Sequence, residues 1–139
     1  MIVGIGNDVA DIERFRAALA RTPCLASRLF TARERTGPDG RPRDAASLSA
    51  RFAVKEAVLK VLGAPAGLAW DGIETVTLPS GRPVLRVSGA PAERAAALGI
   101  RDWHVSISHD GNLAAALVVA EGGGGRRRCT RVCGRRGGP

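Results

Sequence analysis

The longest helical pattern of hydrophobic and polar positions lies between residues 44 and 62. Its central stretch, RFAVKEAVLKVLG (51–63), is rich in helix-forming Ala, Leu, Lys and Glu, and Gly63 followed by Pro65 provides a stop. At about 100° per residue, two opposite faces are apolar. One carries Leu48, Phe52, Leu59 and Leu62, and the other carries Val54, Val58 and Val61. The pattern therefore predicts a long helix that is packed on both sides and largely buried.

Two charged residues interrupt this helix. Glu56 and Lys60 are four positions apart, so they lie together on a narrow strip between the apolar faces. This spacing is most often a surface ion pair. A strip between two buried faces has limited access to water, however, and a charge there needs a partner. We therefore treat both residues as candidates for a functional site.

A further acid lies in the amino-terminal segment MIVGIGNDVADI (1–12), which has the pattern of a strand. Gly4 and Gly6 permit close approach of another element, and Asp8 stands in an otherwise apolar run. A helix is predicted from Ile12 to about residue 20. Two carboxylates from different elements, with a lysine one turn from the second, could hold a divalent cation against a polyphosphate, and Mg²⁺ favours such a set.

The remaining segments complete an α+β pattern. A short helix is expected over residues 29–36 and an alanine-rich one over 90–99. Strands are expected over 73–79, 83–89, 103–109 and 113–120. In the strand 103–109, one face is apolar and the other carries His104, Ser106 and Ser108. This polar face is either solvated or part of a functional site. The fold class we predict is α+β, with an antiparallel sheet packed on the long central helix.

Charge and composition divide the chain at residue 121. With 139 residues and 45% hydrophobic content, we expect one domain over residues 1–121. Residues 122–139 form a Gly/Arg-rich tail with six arginines and no acid, and we predict that it is disordered. The net charge of +8 splits into +2 for the domain and +6 for the tail, so the basic balance does not predict a nucleic-acid partner.

Neither an apolar run of about 18 residues nor a leader pattern occurs, so we expect a cytoplasmic protein with no membrane partner. Cys24, Cys129 and Cys133 do not have the spacing of a zinc site, and we expect no structural disulfide.

Three motifs carry a family resemblance. The segments GIGNDVADIERF (4–15), RFAVKEAVLKVLG (51–63) and WHVSISHD (103–110) resemble, in order and spacing, the holo-acyl-carrier-protein synthases, the small 4'-phosphopantetheinyl transferases. The resemblance implies a magnesium-dependent transfer of 4'-phosphopantetheine from coenzyme A to a serine of an apo-acyl carrier protein. Adenosine 3',5'-bisphosphate is the other product, and fatty acid or polyketide synthesis is the process served. The resemblance also implies a homotrimer with active sites between subunits.

The resemblance assigns roles to individual residues. Asp8 and Glu56 would hold Mg²⁺, Lys60 would assist as a second cation, and His109 and Asp110 would lie near the acceptor serine. Serine needs a general base, and Glu56, Asp110, His109 and a metal-bound hydroxide all remain open.

Further residues are expected to bind coenzyme A: Arg43, Arg51, Lys60, Gly63, Gly81, Arg82, Pro83 and His104. Within this set, Arg43 is the candidate for the 3'-phosphate, whereas residues 80–82 could also be a plain hairpin turn. Arg14 and Arg21, seven positions apart on one helix face, would dock the acidic carrier protein, although a solvated face is the alternative.

Two hypotheses from other classes stay open at this point. The chain could be a non-catalytic module that binds a nucleotide or an acidic protein through the same basic residues. It could also bind RNA through the arginine tail, but with two Trp, three Phe and no Tyr it lacks the stacking platform of single-strand binders. Which carrier proteins are accepted, and whether acylated coenzyme A is used, cannot be predicted from these residues.

Overall fold

The computed structural model describes residues 1–123 of the chain. The predicted tail, apart from its first two residues, and Cys129 and Cys133 therefore lie outside the described residues. The elements within 1–123 are β1 (Ile2–Asp11), α1 (Ile12–Arg21), α2 (Leu25–Leu29), α3 (Ala32–Arg35), α4 (Ala45–Val61), a 3₁₀ turn (Trp70–Gly72), β2 (Ile73–Thr77), β3 (Pro83–Val87), α5 (Gly89–Ala97), β4 (Ile100–Asp110) and β5 (Leu113–Gly122).

The strands form two antiparallel sheets. One has three strands in the order β1-β5-β4, and the other is the β2-β3 hairpin. The predicted α+β class is confirmed, and α4 packs as the central helix. The single sheet that the sequence suggested is in fact two, because the hairpin does not join the ladder of β4 and β5.

Close contact between β1 and α4 depends on glycine. A Cβ at Gly6 would lie 2.0 Å from the carbonyl oxygen of Ala57, and one at Gly4 would lie 3.0 Å from a methyl of Val61. Since side chains alternate along a strand, Asp8 faces the same side as these glycines. The close crossing therefore brings Asp8 towards the carboxyl-terminal half of α4.

Helix α4 is the centre of the core. Its Val54 and Val58 are fully buried, as is Leu62 at its end, which confirms the prediction of a largely buried helix. Asp44 caps the helix by accepting a hydrogen bond from the backbone of Ser47, which fixes its start. A smaller cluster forms beside it from Phe15, Leu29, Phe30 and Leu48.

The outer face of the three-stranded sheet is apolar along β1 and β5. Ile5 is 61% exposed and Leu117 is 46% exposed, and Val9 and Leu113 lie on the same face. No helix or strand within residues 1–123 packs on this face. It is a surface that a partner could cover.

The local predictions differ from the structure mainly between residues 25 and 36. The helix expected over 29–36 is the shorter α3, and α2, which the pattern does not predict, precedes it and ends before Phe30 and Thr31. Thr31 caps α3 and exchanges hydrogen bonds with Glu34 in a capping box, so the second helix starts there. Within residues 1–123 there is no helix with the length and apolar character needed to cross a membrane.

Candidate active site

Asp8 of β1 and Lys60 of α4 meet at the crossing of the two elements. The Lys60 ammonium donates to Asp8 Oδ1 at 3.1 Å and to the backbone carbonyl of Asn7 at 2.7 Å. The Asp8 side chain is 21% exposed, but that of Lys60 is 52% exposed. The expectation that Lys60 has little contact with water was therefore wrong, because its long side chain extends beyond the buried part of α4.

Glu56 lies one turn before Lys60 and is half-buried. Burial raises the pKa of its carboxyl, the neighbouring Asp8 charge raises it further, and Lys60 acts in the opposite direction. The net shift is upward, so the single lysine does not fully compensate the two carboxylates. This partly buried site would be stabilised by an additional cation.

The donor set suits one kind of metal. Asp8 and Glu56 offer hard oxygen atoms, and no cluster of three or more His, Cys, Asp or Glu side chains that could hold a metal ion lies within residues 1–123. Zinc sites use three or four such ligands. Magnesium is commonly held by one or two carboxylates, with water and phosphate oxygens completing the shell. The residues present therefore fit Mg²⁺ bound together with a phosphate ligand.

A second group of predicted residues surrounds Arg51, which lies on α4 and is 5% exposed. Its guanidinium donates to the hydroxyl of Thr77 at 2.9 Å and to that of Ser47 at 2.8 Å. Burial, and secondarily the charge of Arg43, lowers the pKa of Arg51 to about 10. The side chain remains a cation at neutral pH and is held rigidly between the helix and the hairpin.

Arg51 lines a cavity of about 660 Å³ together with Gly81, Pro83 and His109. His109 lies near the end of β4, where its Nε2 is 3.3 Å from the carbonyl oxygen of Ala46. Gly81 has φ +85° at the hairpin turn, a conformation that glycine adopts without strain. The cavity thus combines a buried cation, an imidazole and a hairpin turn.

The two groups are separated within one chain. Asp8 pairs with Ala116 of β5, which pairs with Ile107 of β4, and His109 is two residues further along that strand. Strand spacing and rise place the Asp8 and His109 backbones roughly 12 Å apart. The structure brings Asp8, Glu56 and Lys60 together, and it brings Arg51, Gly81, Pro83 and His109 together, but not as one cluster.

Other predicted residues lie further away or on the surface. Arg43 is half-buried and lines a neighbouring cavity that it shares with Gly81. Gly63 ends α4 with φ +81°, Arg82 is exposed at the hairpin turn, and Asp110 is exposed at the end of β4.

His104 occupies the opposite end of β4 from His109. Its Nε2 is 2.8 Å from Glu121, and this contact lowers the pKa of the Glu121 carboxyl. In this chain His104 is therefore paired with an acid and is not a member of the Arg51 cavity.

The two candidate docking arginines are both exposed on α1. Arg14 also lines a mainly apolar cleft of about 420 Å³ that includes Asp8, Phe52 and Trp70. This cleft extends directly from the carboxylate site. The sequence pattern does not predict this cleft, because Phe52 and Trp70 are 18 positions apart and meet only in the fold.

The structure also contains a buried ion pair that was not predicted. Lys55 and Glu34 are both fully buried, with Nζ 2.7 Å from Oε1. Glu56 and Lys60 are the charged residues of α4 predicted to have little contact with water, whereas the fully buried one is Lys55. A signal was present, because helical periodicity places Lys55 on the apolar face of Phe52 and Leu59.

Comparison with known proteins agrees with this geometry. The family model of the 4'-phosphopantetheinyl transferase superfamily matches residues 4–118, a span that includes both groups of site residues. The chain belongs to this superfamily.

Particular relatives narrow the class. The chain is 61% identical over 122 residues to the holo-[acyl-carrier-protein] synthase of Streptomyces griseus, which covers 88% of this chain and all of that protein. The solved acyl carrier protein synthase of Mycobacterium tuberculosis is 35% identical, with a TM-score of 0.68 and coverage of 88% of this chain and 100% of that one. The Helicobacter pylori holo-[acyl-carrier-protein] synthase, solved in complex with coenzyme A, is 27% identical, with a TM-score of 0.72 and coverage of 85% and 100%.

Proposed function

We infer that this chain is a holo-[acyl-carrier-protein] synthase. It transfers 4'-phosphopantetheine from coenzyme A to a serine of an apo-acyl carrier protein and releases adenosine 3',5'-bisphosphate. The observation that carries this conclusion is the meeting of two family motifs at one point. The glycine-dependent crossing of β1 and α4 places Asp8 of the first motif beside Glu56 and Lys60 of the second.

Asp8 and Glu56 would hold Mg²⁺ together with the pyrophosphate of coenzyme A. When bound, the metal supplies positive charge beside the phosphate that leaves. Lys60 adds a second cation to the same place, and its exposed ammonium can move from Asp8 towards a phosphate oxygen.

The Arg51 cavity is the proposed site for the nucleotide side of coenzyme A. Arg51 is a fixed cation, the turn at Gly81 and Pro83 forms one wall, and Arg43 in the adjoining cavity is available for the 3'-phosphate. His109 lies in this cavity and is one candidate for the base that receives the serine proton, with Asp110 and Glu56 as the others.

The cleft beside Asp8 is the proposed dock for the carrier protein. It exposes Phe52 and Trp70 at its lining and Arg14 at its edge, with Arg21 further along α1. Acidic carriers would be steered by the arginines. The apolar lining could then receive side chains next to the acceptor serine.

Assembly into a homotrimer would complete the site. The backbones of Asp8 and His109 are roughly 12 Å apart in one chain by strand spacing, and a site between subunits could bring the Asp8 group of one chain to the Arg51 group of another. The uncovered apolar face of the sheet, with Ile5 61% and Leu117 46% exposed, is the surface proposed to mediate this contact.

Light scattering tests the assembly. Leu117→Lys should convert the trimer to a monomer, because it places a charge in the apolar face. Ala97→Lys adds the same charge on the exposed side of α5 and should leave the trimer intact. A wild-type chain that is monomeric at micromolar concentration contradicts this part of the proposal.

Intact-mass analysis tests the activity. An apo-acyl carrier protein incubated with this chain, coenzyme A and Mg²⁺ should gain the mass of one phosphopantetheine group. A carrier in which the acceptor serine is replaced by alanine should gain nothing. If coenzyme A and carrier both bind but the carrier mass never changes, the chain is a non-catalytic binding module.

A further inference from the structure

The buried ammonium of Lys55 uses all of its hydrogen-bonding capacity. It donates to Glu34 Oε1 at 2.7 Å, to the carbonyl oxygen of Trp70 at 2.8 Å and to the carbonyl oxygen of Ile73. An ammonium has three N–H donors, and here each has one acceptor. Burial lowers the pKa of Lys55, while the Glu34 carboxylate opposes that shift. The lysine is thus fully satisfied by contacts that fix its direction.

Glu34 extends these contacts to strand β2. Its Oε2 accepts from the backbone N–H of Thr75 at 3.1 Å, and its Oε1 also accepts from the backbone of Thr31 at 3.2 Å. Lys55 holds the carbonyl of Ile73, so the pair binds the first and third residues of β2. Both backbone groups would otherwise be buried without a partner.

The same strand continues to the Arg51 cavity. Thr77 is two residues beyond Thr75, and its hydroxyl accepts from Arg51 at 2.9 Å. Arg51 and Lys55 are four positions apart on α4, so they lie one turn apart on the same side. Helix α4 and strand β2 are therefore joined by a row of polar contacts that ends at the hairpin turn of Gly81 and Pro83.

Stability alone does not account for a charged pair in this position. Removing two charges from water is costly, and apolar residues of similar volume often give equal or greater stability. Apolar side chains, however, cannot make directional hydrogen bonds to the backbone of β2. The hydrogen bonds of the ammonium and the carboxylate fix the position of the first residues of β2 relative to α4.

We propose that Lys55 and Glu34 are positioning residues for coenzyme A binding: they fix β2 on α4 and so hold the hairpin turn at the correct distance from Arg51. This inference rests on the proposed function, since it takes the Arg51 cavity as the coenzyme A site. Neither residue reaches that cavity itself, and both act through β2.

Glu34→Gln is the sharpest test. The amide keeps the shape of the side chain and one acceptor oxygen, but its NH₂ group must face either Lys55 and the Thr31 N–H or the Thr75 N–H, so at least one contact is lost. The KM for coenzyme A should rise roughly tenfold, the effect of losing one buried hydrogen bond. The carrier KM and kcat should stay within about twofold, and amide hydrogen exchange in β2 should become faster.

Ser27→Ala is the control, because it removes a side-chain hydrogen bond, that from the Ser27 hydroxyl to the carbonyl of Cys24, on α2 and outside the lining of the Arg51 cavity. It should change neither the coenzyme A KM nor exchange in β2. An unchanged coenzyme A KM together with unchanged β2 exchange in Glu34→Gln overturns the proposal. So does a uniform loss of active protein with the kinetic constants of the remainder unaltered.

A second variant and a second measurement cover the cases in which Glu34→Gln does not fold or the wild-type chain is inactive. If Glu34→Gln does not fold, Thr77→Val removes the last contact of the row at an exposed position, and it must raise the coenzyme A KM for the proposal to survive. If the wild-type chain transfers nothing, the proposed function fails. Hydrogen exchange in β2 of Glu34→Gln then still decides whether the pair positions the strand.

Discussion

Two lysines of α4, five positions apart, form ion pairs with opposite properties. Lys55 and Glu34 are fully buried and each has its hydrogen-bonding groups occupied by the fold. Lys60 is 52% exposed, and its partner Asp8 shares its surroundings with Glu56, whose carboxyl pKa is raised. One pair leaves nothing for a ligand to bind. The other leaves negative charge that the protein itself does not compensate.

The difference shows how the two kinds of site can be separated within one helix. A buried charge that is satisfied on all sides stabilises an arrangement of the backbone. Incompletely paired carboxylates at the edge of a cleft are a feature of catalytic and metal-binding sites. On this criterion the Asp8 group is the chemical site and the Lys55 pair is its support.

The largest effect is expected at Asp8. Asp8→Ala removes a proposed metal ligand and should lower kcat for transfer at least about 10³-fold, at the upper end for loss of one electrostatic contact. The folded structure should persist, because the side chain is at the edge of the core. Intact-mass kinetics measure the loss and circular dichroism measures the fold. Near-normal transfer would remove Asp8 from the site.

Replacing each lysine by methionine tests the roles of the two ion pairs separately. Lys55→Met leaves Glu34 buried without its cation and should cost roughly 3–5 kcal/mol of unfolding free energy. Lys60→Met should cost about 1 kcal/mol or less, but it should lower kcat on the order of 10²-fold.

Urea denaturation and steady-state kinetics on both methionine variants separate these outcomes. If Lys60→Met unfolds the protein, or if Lys55→Met leaves its stability unchanged, the two ion pairs do not have the different roles assigned to them. Because the same side chain is introduced on the same helix, each variant is the control for the other.

The sequence predicted what depends on local pattern and on motif order. The bounds of α4 and the hairpin around Gly81 follow from periodicity and turn chemistry, and Asp8, Glu56 and Lys60 are brought together as expected. The motifs could identify these three because they occur in the order and spacing of a family.

What the sequence did not predict depends on contacts across long separations. Periodicity places Lys55 on the buried face and Lys60 on another side of α4, but it does not show that Glu34 and the backbone of β2 are the groups that Lys55 meets. His104 and His109 lie on one strand, but His109 lines the Arg51 cavity whereas His104 contacts Glu121. Periodicity gives the face of a residue but not the partner that it meets there.

A smaller effect is expected from charge reversal at the docking surface. Arg14→Glu should raise the carrier KM several-fold and weaken its dependence on salt, while the KM for coenzyme A changes little, because rim charges act on encounter with an acidic partner. Arg101→Glu makes the same change on the exposed start of β4 and should leave both constants unaltered. Steady-state kinetics with each substrate varied in turn test the assignment, which fails if the carrier KM of Arg14→Glu matches the wild type.

The smallest expected effect concerns the stability of the site without ligands. Burial and the Asp8 charge raise the pKa of Glu56 in the folded chain, so the folded state binds a proton more tightly than the unfolded state does. At a pH below both pKa values the carboxyl is protonated in both states and contributes no difference. As the pH rises above the unfolded value of about 4.3, the unfolded chain releases its proton first, and the stability of the wild type falls relative to a chain without this carboxyl.

Glu56→Gln should therefore be more stable than the wild type at pH 7 in the absence of metal, and this advantage should disappear towards pH 4. Transfer should be lost at the same time, since a neutral amide is a poorer ligand for Mg²⁺ than a carboxylate. Urea midpoints at the two pH values measure the change, and Glu93→Gln, on the exposed side of α5, controls for the change of side-chain type. If the advantage is equal at both pH values, the ionised carboxylate of Glu56 does not destabilise the folded chain. The view that the fold keeps two incompletely compensated carboxylates for a cation is then wrong.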